Sequence, residues 1–385
     1  MTALAVNDAG VQFTINGNAV TVRSLADHAV GRDNNFNLLR LVAATMVLVS
    51  HSYALATGDP ASEPLRWLTH FSLGGLAVDI FFVASGFLVA GSLLQRRDLL
   101  EFCVARGLRI LPGLWVALLL TVAGVGLWFT TLSPGAFFAD WQTWRYVLKN
   151  AILVHGVSYE LPGAFISAPS GTGVNGSLWT LPEELAMYGW LAGAWAAFLV
   201  VRMQPEKWLR IFCCAVAVLA IGADIWGYLS DQPSIFVGLL AKFFAGAALR
   251  MLDRQVPASK LLFGALLGAI LLSALDPTAF GVIYRLGFAY VVIYAALVPS
   301  GLIRVFSRGS DYSYGMYIYA FPVQQAIASA WQGVTPVELM GSSFVVTMLF
   351  AVASWHIVEK RALRWKGVLS RRRDSWAERR SAPSR

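Results

Sequence analysis

The stretch that decides the fold is residues 37–57, NLLRLVAATMVLVSHSYALAT, in which only Arg40 and His51 carry or readily gain a positive charge. A helix that crosses the hydrocarbon of a bilayer needs about 20 mainly apolar residues. This run has that length, and a helix satisfies every backbone hydrogen bond within the segment, as lipid requires. The stretch therefore predicts a transmembrane helix with two ionisable groups in it.

Further runs of the same kind follow along the chain. With ends uncertain by a few residues, ten segments are predicted: 37–57, 74–94, 107–131, 177–201, 208–230, 235–252, 259–275, 280–300, 312–333 and 337–358. They are too long and too continuously apolar for the strands of a barrel. Of the 385 residues 57% are hydrophobic and 14% are charged, against about 25% charged in soluble domains. We predict an all-α polytopic membrane protein with about ten transmembrane helices, surrounded by membrane lipids.

The basic residues are distributed unevenly between alternate loops. If the N-terminus is cytoplasmic, 25 of the 30 Lys and Arg residues fall on the cytoplasmic side. The positive-inside rule then predicts that both termini are cytoplasmic, which agrees with an even number of helices. The same bias explains the net charge of +8, so no nucleic-acid partner is expected.

The charge and hydropathy pattern divides the chain into three parts. Residues 1–36 are polar and mixed, without a basic start that leads into an apolar run. We therefore expect a cytoplasmic N-terminal segment and no cleaved signal peptide. Residues 37–360 are predicted to form the transmembrane domain, and residues 361–385 a basic cytoplasmic tail.

Arg40 and His51 share one face of the first predicted helix. They are eleven residues apart, which at about 100° per residue is roughly 20° from a whole number of turns. Along the axis they are roughly 16 Å apart, about half the hydrocarbon thickness. Arginine can hold a phosphate at the cytoplasmic mouth, and an imidazole at mid-membrane can act as a base. The pair predicts a site for a donor with an anionic head and a long reactive arm; the alternative is an interfacial anchor and a packing histidine.

Two more arginines lie near the start of the third predicted helix, in the stretch FCVARGLRILP of residues 102–112. Arg106 and Arg109 are three residues apart and therefore lie on one side of a helix. They are candidates for further phosphate contacts beside Arg40. Basic residues at this end also satisfy the positive-inside rule without any function, so the spacing alone leaves both interpretations open.

The acidic candidates are Asp79, in LGGLAVDIFFVASGF, and Glu183 with Glu184, in SLWTLPEELAMY. All three lie in the outer half of their predicted helices, near the depth expected for His51. A carboxylate that hydrogen-bonds to the imidazole would fix its tautomer and stabilise its cationic form. Which of these acids does so is left open by the sequence.

These acids also have a structural alternative. Asp79 and Glu184 can form buried ion pairs with Lys242 or Arg285, the cations that fall within other predicted helices. No group of His, Cys and acidic residues has the spacing of metal ligands, so no metal site is expected.

Several motifs in this order together resemble a known family. They are Arg40-x10-His51 after DNNFNLL, GLAVDIFFVASGFLV from residue 75, Arg106-x-x-Arg109-I-L-P, SLWTLPEE from residue 177, SDYSYGMYIYAFPVQ from residue 310 and WHIVEKRALRW from residue 355. The chain resembles the acyltransferase-3 family of bacterial membrane proteins, which includes O-acetyltransferases of exopolysaccharides and O-antigen. The match covers residues 33 to about 366.

The resemblance implies a set of roles for the candidate residues. His51 would be the catalytic base, and the acid of the family's Ser-Leu-Trp pattern would be Glu184. The donor would be acyl-CoA, usually acetyl-CoA, with no tightly bound cofactor. The residues implied to contact the CoA phosphates are Arg40, Arg106 and Arg109.

The chain departs from the family pattern at two places. Ala320 or Phe321 stands where many members carry a histidine, and Lys360 replaces a frequent proline after Glu359. The first departure lies in the ninth predicted helix, and the second lies just after the tenth. They argue against copying residue roles from distant members.

These features support one hypothesis and leave two rivals. We expect a multi-pass O-acyltransferase of the bacterial inner membrane that moves an acetyl group from cytoplasmic acetyl-CoA to a hydroxyl of a glycan outside. His51 would deprotonate that hydroxyl or accept the acyl group itself, and Asp79 or Glu184 would orient it. Exopolysaccharide, lipopolysaccharide and lipid-linked glycans all fit as acceptors. A transporter or flippase also places charges at mid-membrane, although the inverted repeat common in transporters is not evident, and a non-catalytic assembly partner is the third class.

Overall fold

Ten long helices form the body of the protein in the computed structural model, which describes residues 5–7, 10–15, 18–31, 33–69, 71–154 and 156–365. We number them α1 to α10 in chain order: Phe36–Thr57, Leu73–Arg96, Leu99–Leu120, Thr180–Val200, Pro205–Leu229, Ile235–Met251, Lys260–Ser273, Pro277–Leu297, Ser313–Ala330 and Pro336–Ser354. Each of the ten predicted apolar segments overlaps one of these helices.

The third helix begins earlier than predicted. The apolar run suggested a start at 107, whereas α3 starts at Leu99 because Asp98 caps it: the Asp98 side chain accepts a hydrogen bond from the backbone N–H of Glu101 at 3.0 Å. Arg106 and Arg109 therefore lie two to three turns inside a helix, on a rigid element. At its far end α3 continues through a π-helical turn over Thr121–Gly126.

Six helical stretches in the described part of the chain are long and apolar enough to cross a membrane by length and composition. They are Phe36–Thr57, Leu73–Arg96, Leu99–Phe129, Pro205–Leu229, Pro277–Leu297 and Pro336–Trp365. Lys260–Ser273 is apolar but shorter. The prediction of an all-α polytopic membrane protein is thereby confirmed, while ten crossings and two cytoplasmic termini stay predictions.

A small sheet lies in the N-terminal segment and was not predicted from the sequence. Strands β1 (Ala5–Asn7), β2 (Gly10–Ile15) and β3 (Asn18–Val22) pair antiparallel in that order. Alternating apolar residues and the Asn16-Gly17 dipeptide between β2 and β3 are the signal that could have revealed it.

The chain after this sheet is attached to the helical body. The backbone N–H of Leu25 donates to the carbonyl of Val256 at 2.9 Å, and that of Ala258 donates to the carbonyl of Arg23 at 2.8 Å. Leu25 itself is fully buried. At the other terminus, most of the predicted basic tail, residues 366–385, lies outside the described residues.

Helices α2 and α6 approach each other more closely than side chains allow, and two glycines make this possible. A Cβ placed on Gly86 would lie 1.9 Å from the carbonyl oxygen of Phe243, and one on Gly246 would lie 2.1 Å from that of Val83. Small residues are the usual means by which helices in lipid reach backbone contact. This pairing fixes α2, which lines the site described below.

We expect Gly86→Ala to destabilise the protein, because the added methyl meets backbone and forces the helices apart. Overpacking of this kind costs about 1–3 kcal/mol. Gly268→Ala, in α7, is the matched control, since nothing lies within 4 Å of its added methyl. Thermal unfolding in detergent measures both, and equal midpoints for the two variants would contradict the proposed packing.

Candidate active site

One end of the helix bundle gathers two of the predicted arginines around a single carboxylate. Asp311, just before α9, lies with its Oδ2 at 3.1 Å from Nη1 of Arg40 and at 2.6 Å from Nη2 of Arg109. The other side of the Arg109 guanidinium lies 3.3 Å from Oε2 of Glu359. The backbone N–H and hydroxyl of Ser313 donate to the second oxygen of Asp311. Helices α1 and α3 and the extension of α10 therefore meet at one ionic cluster.

Asp311 and Glu359 were not among the residues predicted for the site. Both stand in quoted motifs, but Asp311 is 271 residues from Arg40 and Glu359 is 250 residues from Arg109, so their pairing has no local signal. Burial raises the pKa of the Asp311 carboxyl, but Arg109 and Arg40 outweigh it and lower that pKa to about 2. Asp311 is therefore ionised at neutral pH and holds the two guanidinium groups together.

A cavity of about 430 Å³, here called the arginine cavity, opens beside this cluster. Four arginines and a single acidic residue line it: Arg40, Arg96, Arg106, Arg109 and Glu184. The three arginines predicted to act together thus share one cavity. Its volume falls in the range of small-molecule sites, and its excess of guanidinium groups favours an anionic ligand.

Arg106 differs from the other two predicted arginines. Among the residues that the structure describes, no carboxylate lies within ion-pair distance of it, and its buried Nε has no hydrogen-bond partner. Arg40 and Arg109 already share Asp311. Arg106 is therefore the guanidinium most available to an incoming phosphate.

Glu184 lies in the arginine cavity and not beside His51. Its Oε1 accepts a hydrogen bond from the Ser85 hydroxyl at 2.9 Å and another from the Tyr188 hydroxyl. The predicted contact between Glu184 and the imidazole is absent among the described residues. The helix period gives the depth of a residue but not the partner opposite it.

His51 lines a second cavity, of about 450 Å³, here called the histidine cavity. Its ring packs nearly perpendicular to that of Phe321, with 5.1 Å between ring centres. Phe321 is, with Ala320, one of the two candidates for the position where many family members carry a histidine. The buried Nδ1 of His51 has no hydrogen-bond partner within the described part of the chain. The imidazole is thus held by packing, with its hydrogen-bonding capacity unused.

The carboxylate that shares the cavity with His51 is Glu63, which sequence reasoning missed. Glu63 is 3% exposed and accepts hydrogen bonds from the Ser50 hydroxyl, at 2.6 Å, and from the backbone N–H of Leu73. It lies in the connection between α1 and α2, outside any apolar run. For this reason the search for acids within predicted helices did not include it.

The two cavities adjoin. Val78 and Tyr317 line both of them, so these side chains form the wall between the cavities. The Tyr317 hydroxyl donates to the carbonyl of Ser177 at 2.7 Å and lies 2.6 Å from Oγ1 of Thr180. Arg40 and His51, on one face of α1, therefore line two neighbouring cavities, one on each side of this wall.

Asp79 lies elsewhere, in a buried ionic cluster that lines neither cavity. Its Oδ2 is 3.7 Å from Nζ of Lys242 and accepts a hydrogen bond from the Tyr284 hydroxyl at 2.7 Å. Lys242 is also 3.4 Å from Asp224, which lies 2.9 Å from Nε of Arg285. Asp79 is therefore paired with Lys242, which is the buried ion pair that the sequence offered as the structural alternative.

The described residues contain no candidate metal site. Within the described ranges, no group of three or more His, Cys, Asp or Glu side chains is arranged to hold a metal ion.

A polytopic helical protein with an arginine-lined cavity and a histidine-lined cavity on either side of a thin wall can bind two substrates next to each other, as a membrane-bound transferase requires. The model of the acyltransferase domain, acyltransferase-3, matches residues 33–356, and the chain belongs to this family.

Curated relatives agree with this assignment. The chain is 31% identical over 352 residues to the O-acetyl transferase of Shigella phage Sf6, covering 86% of this chain and 96% of that protein. It is 30% identical over 390 residues to nodulation protein 10 of Rhizobium leguminosarum bv. viciae, covering 91% and 99%. It is 25% identical over 345 residues to a Bacillus subtilis (strain 168) protein named as a candidate peptidoglycan O-acetyltransferase, covering 77% and 51%. No solved structure matches the chain significantly.

The family and relatives confirm the predicted enzyme class, an O-acyltransferase of the O-acetyltransferase type, in a multi-pass membrane protein. They favour the enzyme over the transporter, flippase or assembly partner. The roles predicted for individual residues stay predictions.

We expect Asp79→Asn to lower stability and to leave acyl transfer per folded molecule nearly unchanged. Breaking a buried pair on one side typically costs about 3–5 kcal/mol; because Lys242 keeps Asp224, roughly 1–3 kcal/mol is expected here. Asp231→Asn, at an exposed turn, is the control. Thermal unfolding and a transfer assay on the same samples separate the two effects. A stable but inactive Asp79→Asn protein would instead support the catalytic role expected from the sequence.

Proposed function

We propose that the protein transfers an acetyl group from acetyl-CoA, bound from the cytoplasm, to a hydroxyl of a glycan on the other side of a bacterial inner membrane. The observation that carries this proposal is the pair of adjoining cavities, one lined by arginines and the other by His51, with Val78 and Tyr317 between them. One compartment suits a polyanionic donor and the other a neutral acceptor.

The arginine cavity supports the donor assignment. Coenzyme A carries phosphates at one end and a thioester at the end of a long flexible arm. Arg106 offers a guanidinium that has no ion pair among the described residues, and Arg40 and Arg109, which share Asp311, add further N–H donors nearby. Arginine binds phosphate with a planar array of donors. We propose that the phosphates bind at this end and that the arm extends toward the wall formed by Tyr317.

The axial distance supports the reach of the arm. Arg40 and His51 are eleven residues apart on the uninterrupted helix Phe36–Thr57, which corresponds to roughly 16 Å. An extended arm bound at the arginine end can place its thioester near the wall that both cavities share. For transfer, a side chain in that wall has to move by a rotamer change, and Tyr317 is the candidate.

The chemistry follows from the position of His51. The imidazole takes the proton of the acceptor hydroxyl while the oxygen attacks the thioester carbonyl carbon. The carbon–sulfur bond breaks, the sulfur leaves with the electron pair, and the proton on the imidazole passes to it as the CoA thiol. The products are the O-acetyl ester and CoA, and no metal or redox step is required.

A carbohydrate acceptor is supported by the relatives. Two of them are named as O-acetyl transferases, one of these for peptidoglycan. Exopolysaccharide, lipopolysaccharide and lipid-linked glycans all offer the secondary hydroxyls that this reaction needs. We do not assign Asp79, which is paired with Lys242, as the acidic partner of His51, and we assign Glu184 to the donor side, where it lines the arginine cavity.

We expect His51→Ala and Arg106→Ala to fail in different ways. Loss of the base should lower transfer by about 10²–10⁴-fold and leave thermal stabilisation by CoA intact, because His51 lies in the other cavity. Loss of Arg106 should raise the KM for acetyl-CoA by roughly 10–100-fold and weaken the stabilisation by CoA.

The control is Arg210→Ala, which removes an exposed arginine that lines neither cavity. Purified protein is assayed with acetyl-CoA and by thermal shift with CoA. Wild-type turnover in a folded His51→Ala protein would rule out the mechanism, and an Arg106→Ala protein that responds to CoA as the wild type does would rule out the donor site.

A further inference from the structure

The histidine cavity contains polar groups that the protein leaves without partners. Ser177 is 1% exposed, and its hydroxyl has no hydrogen-bond partner among the described residues. The buried Nδ1 of His51, in the same cavity, is likewise unpartnered there. Buried polar atoms are normally satisfied, and two exceptions that line one cavity indicate a ligand that supplies the missing hydrogen bonds.

Glu63 adds a third group of the same kind. A carboxylate can accept about four hydrogen bonds, and from the described residues Glu63 accepts one on each oxygen, from Ser50 and from the backbone of Leu73. Its nearest cation is Arg66, whose Nε is 4.0 Å away and whose side chain is 43% exposed. Glu63 therefore keeps acceptor capacity within a cavity that His51 also lines.

The chemistry of the lining selects the class of ligand. Arg66 also lines the cavity and offsets the charge of Glu63, so the lining has no excess of positive charge for a polyanion, and an apolar molecule would leave Ser177 and Glu63 unsatisfied. A neutral molecule with several hydroxyl groups supplies both the donors that Glu63 needs and the partner that Ser177 lacks. A sugar ring fits these requirements, and the half-buried indole of Trp179 also lines the histidine cavity.

We propose that the histidine cavity is the acceptor site, in which Glu63 and Ser177 hold two hydroxyls of a sugar and so present a third to His51. This inference rests on the transferase mechanism above and adds the residues that select the acceptor. Glu63 accepts a hydrogen bond from one sugar hydroxyl, and Ser177 bonds another. Neither residue takes part in the bonds that break.

The two residues differ in what their removal does to the fold. Glu63 ties Ser50 of α1 to the first N–H of α2, so Glu63→Gln can affect folding as well as binding. Ser177→Ala removes a hydroxyl with no partner in the described structure, so it has no hydrogen bond to lose without a ligand. A change in acceptor binding in Ser177→Ala is therefore attributable to the ligand.

The experiment measures transfer of labelled acetyl from acetyl-CoA by the purified full-length protein. The acceptor probe is the envelope glycan fraction of a strain that lacks the gene, freed of esters by mild alkali. For Ser177→Ala and Glu63→Gln we expect the KM for this glycan to rise about tenfold or more, with the KM for acetyl-CoA changed by less than about twofold. The thermal midpoint of Ser177→Ala should equal that of the wild type.

The matched control is Glu160→Gln, which changes an exposed glutamate that hydrogen-bonds Thr172 and lines neither cavity. A wild-type glycan KM in Ser177→Ala would overturn the acceptor site, and this variant decides the matter if Glu63→Gln does not fold. Equal rises of both KM values in a folded Glu63→Gln protein would overturn the binding role of Glu63. Full transfer by folded His51→Ala protein would instead show that the proposed mechanism has failed, whatever the two acceptor-site variants do.

Discussion

One carboxylate oxygen, Oδ2 of Asp311, holds together the end of the bundle where the donor is assigned. Two guanidinium groups lie within 3.1 Å of it, and without the negative charge between them they would repel each other in a poorly solvated site. Because Arg40 belongs to α1 and Arg109 to α3, this oxygen fixes the distance between those helices. Glu359 contacts the remaining side of Arg109, so the helical turn Trp355–Glu359, which continues α10, is bound to the same cluster.

The same arrangement explains why two neighbouring arginines of α3 have different roles. Arg106 and Arg109 lie on one side of α3, as three residues of separation predict. Asp311 and Glu359 neutralise Arg109, whereas Arg106 meets no carboxylate among the described residues and keeps its charge for a ligand. The ion pairs of Arg109 fix its side chain in the lining of the cavity, and the charge left on Arg106 favours an anionic ligand.

The sequence predicts what depends on local pattern. Hydropathy places the ten helices, and the helix period puts Arg40 and His51 on one face, because both are properties of neighbouring residues. Contacts between distant segments have no such signal. Asp311 pairs with Arg40 across 271 residues, and Asp79, although predicted to lie near the depth of His51, is paired with Lys242. Glu63 was missed because it lies in a connection, where a buried acid cannot be told from an exposed one by its neighbours in sequence.

In the proposed mechanism the wall between the cavities has a function. A continuous aqueous path would let water reach the thioester and ions cross the bilayer, whereas two cavities separated by Tyr317 and Val78 would admit each proposed substrate from its own side. The Tyr317 hydroxyl is held by the carbonyl of Ser177 and lies beside Thr180 at the start of α4. The residue proposed to bind the acceptor through its side chain therefore holds the wall through its backbone. An acceptor that shifts Ser177 on binding would loosen Tyr317, so the donor and acceptor sides would connect only when a sugar is in place.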